Sequence, residues 1–191
     1  MGTPRTRRIL TLDEYFDVEL RSEAKHEFLD GEILGMSGGS PRHNAVARNL
    51  LRILANALRG GRCSAFGSDQ RVATPDQLYT YPDLSVFCSP LAFVGERPAT
   101  ATNPSLLVEV LSDSTRDYDR GEKLDRYKRI PSLTDVLLVE PGFVRVEHWV
   151  QSDVGWTRSF HLDLAEQIRL AGCGVTLPMS EIYEDLGDLP D

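Results

Sequence analysis

The hydrophobic and polar positions at the start of the chain predict an amphipathic helix followed by a hairpin. Thr11, with Glu14 three residues later, has the spacing of a capping box, which marks a helix start. Behind this cap, apolar side chains recur on one helical face at Leu12, Tyr15, Phe16 and Leu20. Further along, the pair Asp30 and Gly31 separates two short segments with strand character, and such a pair favours a tight hairpin turn.

A second, longer helix is predicted between Ser40 and Gly60. Ser40 is a favourable N-cap and Pro41 suits the first helical position, while the glycine pair after Arg59 ends the helix. His43 falls at the centre of the apolar arc of this helix. A histidine there is either a core residue or a residue that faces a site, and the pattern leaves both interpretations open.

From position 63 onward the apolar period shifts towards two, which predicts β-strands. The predicted strands cover 63–73, 83–88, 105–112, 134–140, 143–150 and 156–162. One helix interrupts them from 119 to 130, where Pro131 ends it. This order predicts an α/β fold, a mixed β-sheet flanked by helices with an N-terminal helix and hairpin. We expect one domain, with 1–36 as an N-terminal extension, 40–165 as the core and 166–191 as a C-terminal tail.

The composition fits a folded protein with an acidic surface. A chain of 191 residues with 41% apolar residues can bury a single core. Its 21 Lys and Arg residues against 29 Asp and Glu residues give a net charge of -8. Such a charge opposes non-specific adhesion to nucleic acid or anionic membranes. Any partner of that kind must therefore be held by a local patch.

The cysteines and the N-terminus suggest an intracellular protein. Cys63, Cys88 and Cys173 are widely spaced and odd in number, which argues against a disulfide framework and a structural zinc site. The apolar stretch at 9–12 is too short for a signal peptide or a membrane span. We therefore expect a soluble cytoplasmic protein without membrane partners.

Two carboxylates stand out in the predicted strands. Glu109 interrupts the most apolar strand, and burying an ionised carboxylate without a partner is costly. It should therefore have a cation, a hydrogen-bonding partner or access to solvent; a buried pair with an arginine is the alternative explanation. Asp83 follows Pro82 at the start of another strand, where by itself it would be interpreted as a turn residue.

The helix after Glu109 supplies a cation to this set. Asp119, Lys123 and Tyr127 lie on one helical stripe, which turns Lys123 inward. Alternatively, Lys123 extends to the helix edge or pairs with Asp119. Two carboxylates and a lysine form an oxygen-rich site that suits Mg²⁺ or Mn²⁺ better than zinc, and such a site suits phosphodiester hydrolysis.

The order of these motifs resembles the PD-(D/E)XK nuclease superfamily and, within it, the restriction-endonuclease family Uma2. The similarity covers nearly the whole chain and is carried by segments at 11–15, 28–32, 40–43, 82–83, 108–112 and 119–127. The resemblance implies a restriction-endonuclease-like core with Asp83 and Glu109 as metal ligands. Leu111 stands where the superfamily places its lysine, so the resemblance assigns that group to Lys123. It also matches His43 to a recurrent histidine of the family.

These features predict an endonuclease that uses Mg²⁺ or Mn²⁺ to hydrolyse DNA. Asp83 and Glu109 would hold the metal, and Lys123 would act as the catalytic base or stabilise charge at phosphorus. Accessory roles are expected for His43, Asp119 and Tyr127, and weak substrate contacts for Arg42, Arg116 and Arg120.

Other functions and the assembly state remain open from sequence. A catalytically weak or inactive binding or assembly module with the nuclease fold agrees with the net charge of -8 and the displaced lysine. A small-nucleotide hydrolase is weaker, because the sequence has no glycine-rich phosphate loop. We expect a homodimer, since a two-fold axis would supply two sites and the late strands alternate large aromatics with charges.

Overall fold

The structure is a computed structural model that describes residues 9–36, 38–95 and 99–190. The arginine-rich start of the chain lies outside these residues. Within the described residues, helices and β-sheets are mixed, as predicted. None of the described helices combines the length and the apolar character needed to cross a membrane.

The helices are short apart from the second. They are α1 (Leu12–Arg21), α2 (Pro41–Ala57), α3 (Arg116–Tyr118), α4 (Leu124–Tyr127) and α5 (Met179–Ile182), with a π-helical segment (Asp119–Lys123) between α3 and α4. The predicted caps are confirmed. Thr11 and Glu14 form the capping box of α1, and the Ser40 hydroxyl accepts the N–H of His43 at the start of α2.

The described residues contain fourteen strands. They are β1 (His26–Leu29), β2 (Glu32–Gly35), β3 (Ser64–Gly67), β4 (Val72–Ala73), β5 (Tyr79–Thr80), β6 (Leu84–Phe87), β7 (Phe93–Val94), β8 (Thr100–Ala101), β9 (Leu106–Val110), β10 (Asp135–Val139), β11 (Val146–Ser152), β12 (Gly155–His161), β13 (Gln167–Leu170) and β14 (Val175–Pro178). The predicted hairpin is confirmed as β1 and β2, since Asp30 and Gly31 both have the positive φ that its tight turn requires.

The strands form two six-stranded sheets and a separate hairpin. The central sheet has the order β12-β11-β10-β9-β6-β3, and the hairpin sheet has the order β2-β1-β5-β4-β8-β7. In the central sheet β9 and β10 are parallel and the other neighbours are antiparallel. β13 pairs with β14 alone.

The core lies on both faces of the central sheet. Leu106, Val108 and Val110 of β9 pack with α2, whereas Leu107 and Leu111 pack with α4. Both faces of β9 and β10 are buried, as the continuous apolar runs predicted. Glu109 alternates with Val108 and Val110, so its side chain lies on the α4 face.

Some elements differ from the prediction. The single strand expected at 63–73 is divided into β3 and β4, which belong to different sheets. The two-residue strands β5, β7 and β8 were not predicted, because two residues carry no measurable period. The expected tail at 166–191 contains β13, β14 and α5, and its apolar side chains are buried in the core at Ile168, Leu170, Leu177, Met179 and Ile182.

A disulfide also corrects the cysteine analysis. Ser64 pairs with Phe87 in the antiparallel register of β3 and β6, so the residues just outside this pair face each other. These residues are Cys63 and Cys88, and the structure joins them. The expectation of no disulfide framework failed here because cysteines 25 positions apart became neighbours only through strand pairing. Cys173 is free.

Candidate active site

The two predicted carboxylates meet at one end of neighbouring strands. Leu84 pairs with Val108 in the antiparallel register of β6 and β9, so the next position places Asp83 beside Glu109. The backbone N–H of Val110 donates to Asp83 Oδ2 at 2.7 Å. Asp83 is therefore fixed onto the strand that carries Glu109, and its Oδ1 is the oxygen left for another ligand.

Glu109 is buried, with 4% of its surface exposed. The Tyr127 hydroxyl donates to Glu109 Oε1 at 2.5 Å, and the Lys123 ammonium lies 3.0 Å from the same oxygen. The partner of this buried carboxylate is thus a lysine with a tyrosine, rather than the arginine of the alternative explanation. Both contacts are made to Oε1, which leaves Oε2 for a cation.

Lys123 points inward and lies among three carboxylates. Its Nζ is 3.0 Å from Glu27 Oε1, 3.0 Å from Glu109 Oε1 and 3.5 Å from Asp119 Oδ1. Only 4% of Lys123 is exposed, so the side chain does not extend to the helix edge. The pairing with Asp119 that the helical spacing suggested is present, but it is the longest of the three contacts.

The π-helical segment presents Lys123 to this site. We expected one regular helix over 119–130; the helical segments instead begin at Arg116 and end at Tyr127. Gly121 has φ -102° and ψ -107°, which no regular helix contains. This kink changes the direction in which the following side chains project, and π-helical turns of this kind are frequent at functional sites.

Glu27 was missed by the sequence analysis. It lies in β1 of the hairpin sheet with 6% of its surface exposed, and its Oε1 accepts a hydrogen bond from the Thr80 hydroxyl of β5 as well as contacting Lys123. The sequence signal was weak, because Glu27 stands between His26 and Phe28 in a four-residue strand rather than within an apolar run. The N-terminal hairpin therefore forms one wall of the site.

His43 lies beside Asp83, with its Nε2 3.3 Å from Asp83 Oδ2. Its Nδ1 is buried and has no hydrogen-bond partner among the described residues. Gly39 packs against the same ring, and a Cβ at that position would overlap Nδ1. Of the two interpretations that the sequence left open, the structure places His43 at the site.

Burial and charge shift the pKa values of these groups. Burial raises the pKa of Glu109 to about 8, against the lowering effect of the Lys123 charge. Burial also raises the pKa of Asp119. For Lys123, burial acts to lower the pKa, but the carboxylate charges, led by Glu109, outweigh it and hold the pKa well above its usual value. Lys123 is therefore a protonated cation at neutral pH.

The pKa of His43 is raised by its neighbour. Burial of the ring acts to lower the pKa, but the hydrogen bond and charge of Asp83, helped by the charge of Glu109, outweigh burial. Protonated His43 would place a second cation beside the carboxylate pair. The imidazolium is thus favoured at a higher pH than for a free histidine.

The oxygen donors of this site fit a hard divalent cation with an incomplete set of protein ligands. The described residues contain no cluster of three or more His, Cys, Asp or Glu side chains arranged to hold a metal. Mg²⁺ commonly binds through one or two carboxylates and completes its shell with waters and substrate phosphates. Asp83 Oδ1 and Glu109 Oε2 suit that type of binding, since the contacts described above engage Asp83 Oδ2 and Glu109 Oε1.

The three predicted substrate arginines have other contacts. Arg116 and Arg120 contact the buried carboxylate of Glu140 at 3.0 and 2.7 Å. Arg42 donates to the backbone carbonyls of Leu189 and Gly187 near the end of the chain. The structure thus brings Asp83, Glu109, Lys123, Asp119, Tyr127 and His43 together, and these contacts do not join the arginines to that set.

Comparison with known proteins identifies relatives over most of the chain. The family Uma2, described as "Putative restriction endonuclease", matches residues 12–180. The Synechocystis protein slr1290, described as uncharacterized, is 36% identical over 180 residues, which cover 93% of each chain. A second uncharacterized Synechocystis protein, sll1609, is 37% identical over 145 residues, or 75% of this chain and 82% of its own.

A solved structure agrees with the fold. A protein of Anabaena variabilis, described as a "putative nuclease belonging to DUF820", superposes with a TM-score of 0.71 at 17% identity, over 90% of this chain and 98% of the other. The predicted mixed α/β fold is therefore confirmed. With the family match spanning 12–180 and relatives above 30% identity, the chain belongs to the Uma2 family, as its motifs predicted.

Proposed function

We propose that this protein is a metal-dependent endonuclease that hydrolyses phosphodiester bonds in DNA. Family membership supports a nuclease-type function in general. The observation that carries the finer proposal is the pair Asp83 and Glu109, each with one anchored oxygen and one available oxygen, next to the buried ammonium of Lys123.

Asp83 and Glu109 would hold Mg²⁺ or Mn²⁺. A bound ion of this kind polarises a phosphate and lowers the pKa of its water. Tyr127 and Lys123 fix the orientation of Glu109 through Oε1, and Val110 fixes Asp83 through its N–H. Preorganised donors and charges of this kind require little rearrangement during the reaction.

The protonation of Lys123 narrows its role. The sequence left two roles open, catalytic base or charge stabiliser. A lysine whose pKa is held well above its usual value keeps its proton at neutral pH and cannot accept another. We therefore assign Lys123 the role of a charge stabiliser for the phosphate, with Asp119 and Glu27 holding the ammonium in place.

Cleavage assays test this proposal directly. Plasmid and single-stranded DNA should be cut in Mg²⁺ or Mn²⁺ and remain intact in EDTA. Asp83→Asn and Glu109→Gln keep side-chain size and should each abolish cleavage. Asp69→Asn, at an exposed carboxylate that pairs with Lys25, should not. An intact substrate with every divalent metal, or equal cleavage by all three variants, would contradict the proposal.

A binding module is the second candidate. It is favoured by the ion pairs of Arg116 and Arg120 with Glu140, which neutralise two of the predicted substrate contacts, and by the net charge of -8. Such a module would leave DNA uncut with every divalent metal, and its neutralised arginines and acidic charge would make it bind DNA weakly. The same assay, combined with a binding measurement, therefore separates the two functions.

The proposal includes a homodimer and a cytoplasmic location. β12 is an edge strand of the central sheet, and pairing with its own copy about a two-fold axis would join two sites in one particle. Light scattering that shows a monomer at high micromolar concentration would contradict the dimer. Cell fractionation would test the location. The disulfide between Cys63 and Cys88 argues against a reducing compartment such as the cytoplasm, because disulfides are rare there.

A further inference from the structure

Cationic and aromatic side chains alternate along one face of β11 and β12, together with Lys128 after α4 and Arg145 before β11. Lys128 Nζ lies 3.4 Å from the ring centroid of Trp149. The guanidinium of Arg158 lies 5.2 Å from the Trp149 ring and 4.9 Å from the Phe160 ring. The guanidinium of Arg145 also lies near the Phe160 ring, 4.8 Å from its centroid. We call this continuous series of five side chains the cation–aromatic ladder.

The ladder lies on the same face of the central sheet as Glu109. Glu109 pairs with Leu138, Leu138 with Glu147, and Glu147 with Phe160, in one row across four strands. Residues paired across a sheet project from the same face. At about 4.8 Å between strands, the row from Glu109 to Phe160 spans roughly 14 Å.

At the Lys128 end, the ladder meets α4, the helix that carries Tyr127 of the candidate active site. Lys128 directly follows Tyr127, whose hydroxyl contacts Glu109. Trp149 packs against the same apolar cluster as Tyr127. The ladder is therefore built against the active-site helix rather than on a remote part of the surface.

The charges of the ladder are only partly neutralised. Glu147 contacts Arg158 at 3.5 Å, but it also contacts Arg120 at 3.4 Å. In the described part of the chain, Arg145 has no carboxylate partner, and its Nε is buried without a hydrogen bond. Arg158 is 48% exposed and Phe160 is 39% exposed, so a cation and part of an aromatic side chain remain accessible.

We propose that the cation–aromatic ladder binds single-stranded DNA and leads it to the carboxylates at Asp83 and Glu109. This inference rests on the proposed nuclease function and names the form of its substrate. Guanidinium groups bind phosphates, and unpaired bases stack on aromatic rings and on arginine planes. In a duplex the base faces are covered, so the rings of the ladder would contribute little. A local cationic surface is also what a chain of net charge -8 needs to hold DNA.

Fluorescence anisotropy with a labelled 20-nucleotide single strand in EDTA tests the ladder without cleavage. Phe160→Ala and Arg158→Gln should each raise Kd about tenfold or more, because a stacked base contributes substantially to such binding. Arg145→Gln should reduce the salt dependence, by about 0.7 in the slope of log K against log salt. Arg52→Gln removes the same charge on α2, where Arg52 pairs with Glu184, and serves as the matched control.

The outcomes separate this inference from the proposed function. The inference would be overturned if the ladder variants bound single-stranded DNA as well as Arg52→Gln does. It would also be overturned if they lost as much affinity for duplex DNA as for single-stranded DNA. Cleavage of plasmid by the parent protein would still support the proposed nuclease function in both cases. Weakened single-strand binding in a protein that never cuts would support the ladder and refute catalysis. If Phe160→Ala instead turns a dimer into a monomer and leaves DNA binding unchanged, this face is a protein interface and the inference is wrong.

Discussion

At the scale of single residues, Glu109 links stability to pH. Its pKa of about 8 in the folded protein lies above its usual value of 4.5. The folded state then holds a proton that the unfolded state has released, so this contribution to stability is complete below about pH 4.5 and is lost as pH rises through about 8. Glu109→Gln removes the effect.

Thermal unfolding in EDTA at pH 6 and pH 9 measures this linkage. Glu109→Gln should gain stability relative to the parent as pH rises, because the variant keeps a neutral side chain where the parent must ionise. Comparing the two proteins at each pH cancels the titration of other groups. A melting-temperature difference that is the same at both pH values would contradict the raised pKa.

Glu27 gives a second residue-scale prediction. Its carboxylate contacts the Lys123 ammonium without being one of the proposed metal ligands. Glu27→Gln should therefore loosen Lys123 and reduce kcat about tenfold or more, while Mg²⁺ affinity measured by calorimetry stays unchanged. Glu23→Gln, at an exposed position after α1, is the control. Loss of metal binding in Glu27→Gln would show that Glu27 is a ligand rather than a positioning residue.

Two neighbouring glycines offer a matched test of His43. A Cβ at Gly39 would overlap the His43 ring, whereas a Cβ at Gly38 would meet no atom within 4 Å. Gly39→Ala should displace the ring from Asp83 and lower the pKa of His43 towards its usual value, as followed by NMR titration. Gly38→Ala should leave that titration unchanged. Equal titration curves in both variants would show that the ring is not held by this packing.

At the scale of elements, the sequence predicted the features that depend on neighbouring residues and missed those that depend on distant ones. The capping box of α1, the Ser40 cap and the turn at Asp30 and Gly31 depend on residues a few positions apart, so the sequence carries them. The kink at Gly121 has no such signal, because a single glycine within a polar helical stretch is compatible with a regular helix.

The disulfide is an element-scale feature that can be measured. It closes a loop of 25 residues between β3 and β6, and closing a loop of this length stabilises the folded protein by about 3.5 kcal/mol in the chain-entropy view. Urea unfolding of the parent should therefore shift to lower concentration when a dithiol reductant is added. The double variant Cys63→Ala with Cys88→Ala should be less stable and insensitive to the reductant.

Cys173 provides the control for that experiment. It is free, and burial raises the pKa of its thiol to about 12, so it reacts slowly in the folded protein. Cys173→Ala should keep the full sensitivity to reductant. A parent protein that unfolds at the same urea concentration with and without reductant would contradict the bond between β3 and β6.

At the scale of the whole molecule, the site joins two sheets that the sequence presented as separate regions. Glu109 could be predicted because one carboxylate interrupted an apolar run, and Lys123 because of its helical stripe. Glu27 could not be assigned to them, because its place depends on β1 pairing with β5 through Phe28 and Tyr79. No local sequence pattern encodes such pairing of distant segments. The sequence analysis therefore assigned the hairpin of β1 and β2 to an N-terminal extension outside the core.

Metal binding should stabilise the whole protein, since the ligands come from two strands of the central sheet. A ligand at one hundred times its Kd stabilises the folded state by about 2.7 kcal/mol. For a chain of this size, that corresponds to an increase in melting temperature of roughly 5–10 °C. Mg²⁺ should produce this shift in the parent protein and in Asp69→Asn.

Mg²⁺ should not raise the melting temperature of Asp83→Asn. This variant keeps the side-chain volume but removes a charge that faces Glu109. Without metal, Asp83→Asn should unfold at or above the temperature of the parent, because a neighbouring negative charge that raises the pKa of Glu109 is gone. Differential scanning calorimetry with and without Mg²⁺ measures both effects. An equal Mg²⁺ shift in Asp83→Asn would place the metal elsewhere and remove the basis for assigning this carboxylate pair as the metal centre.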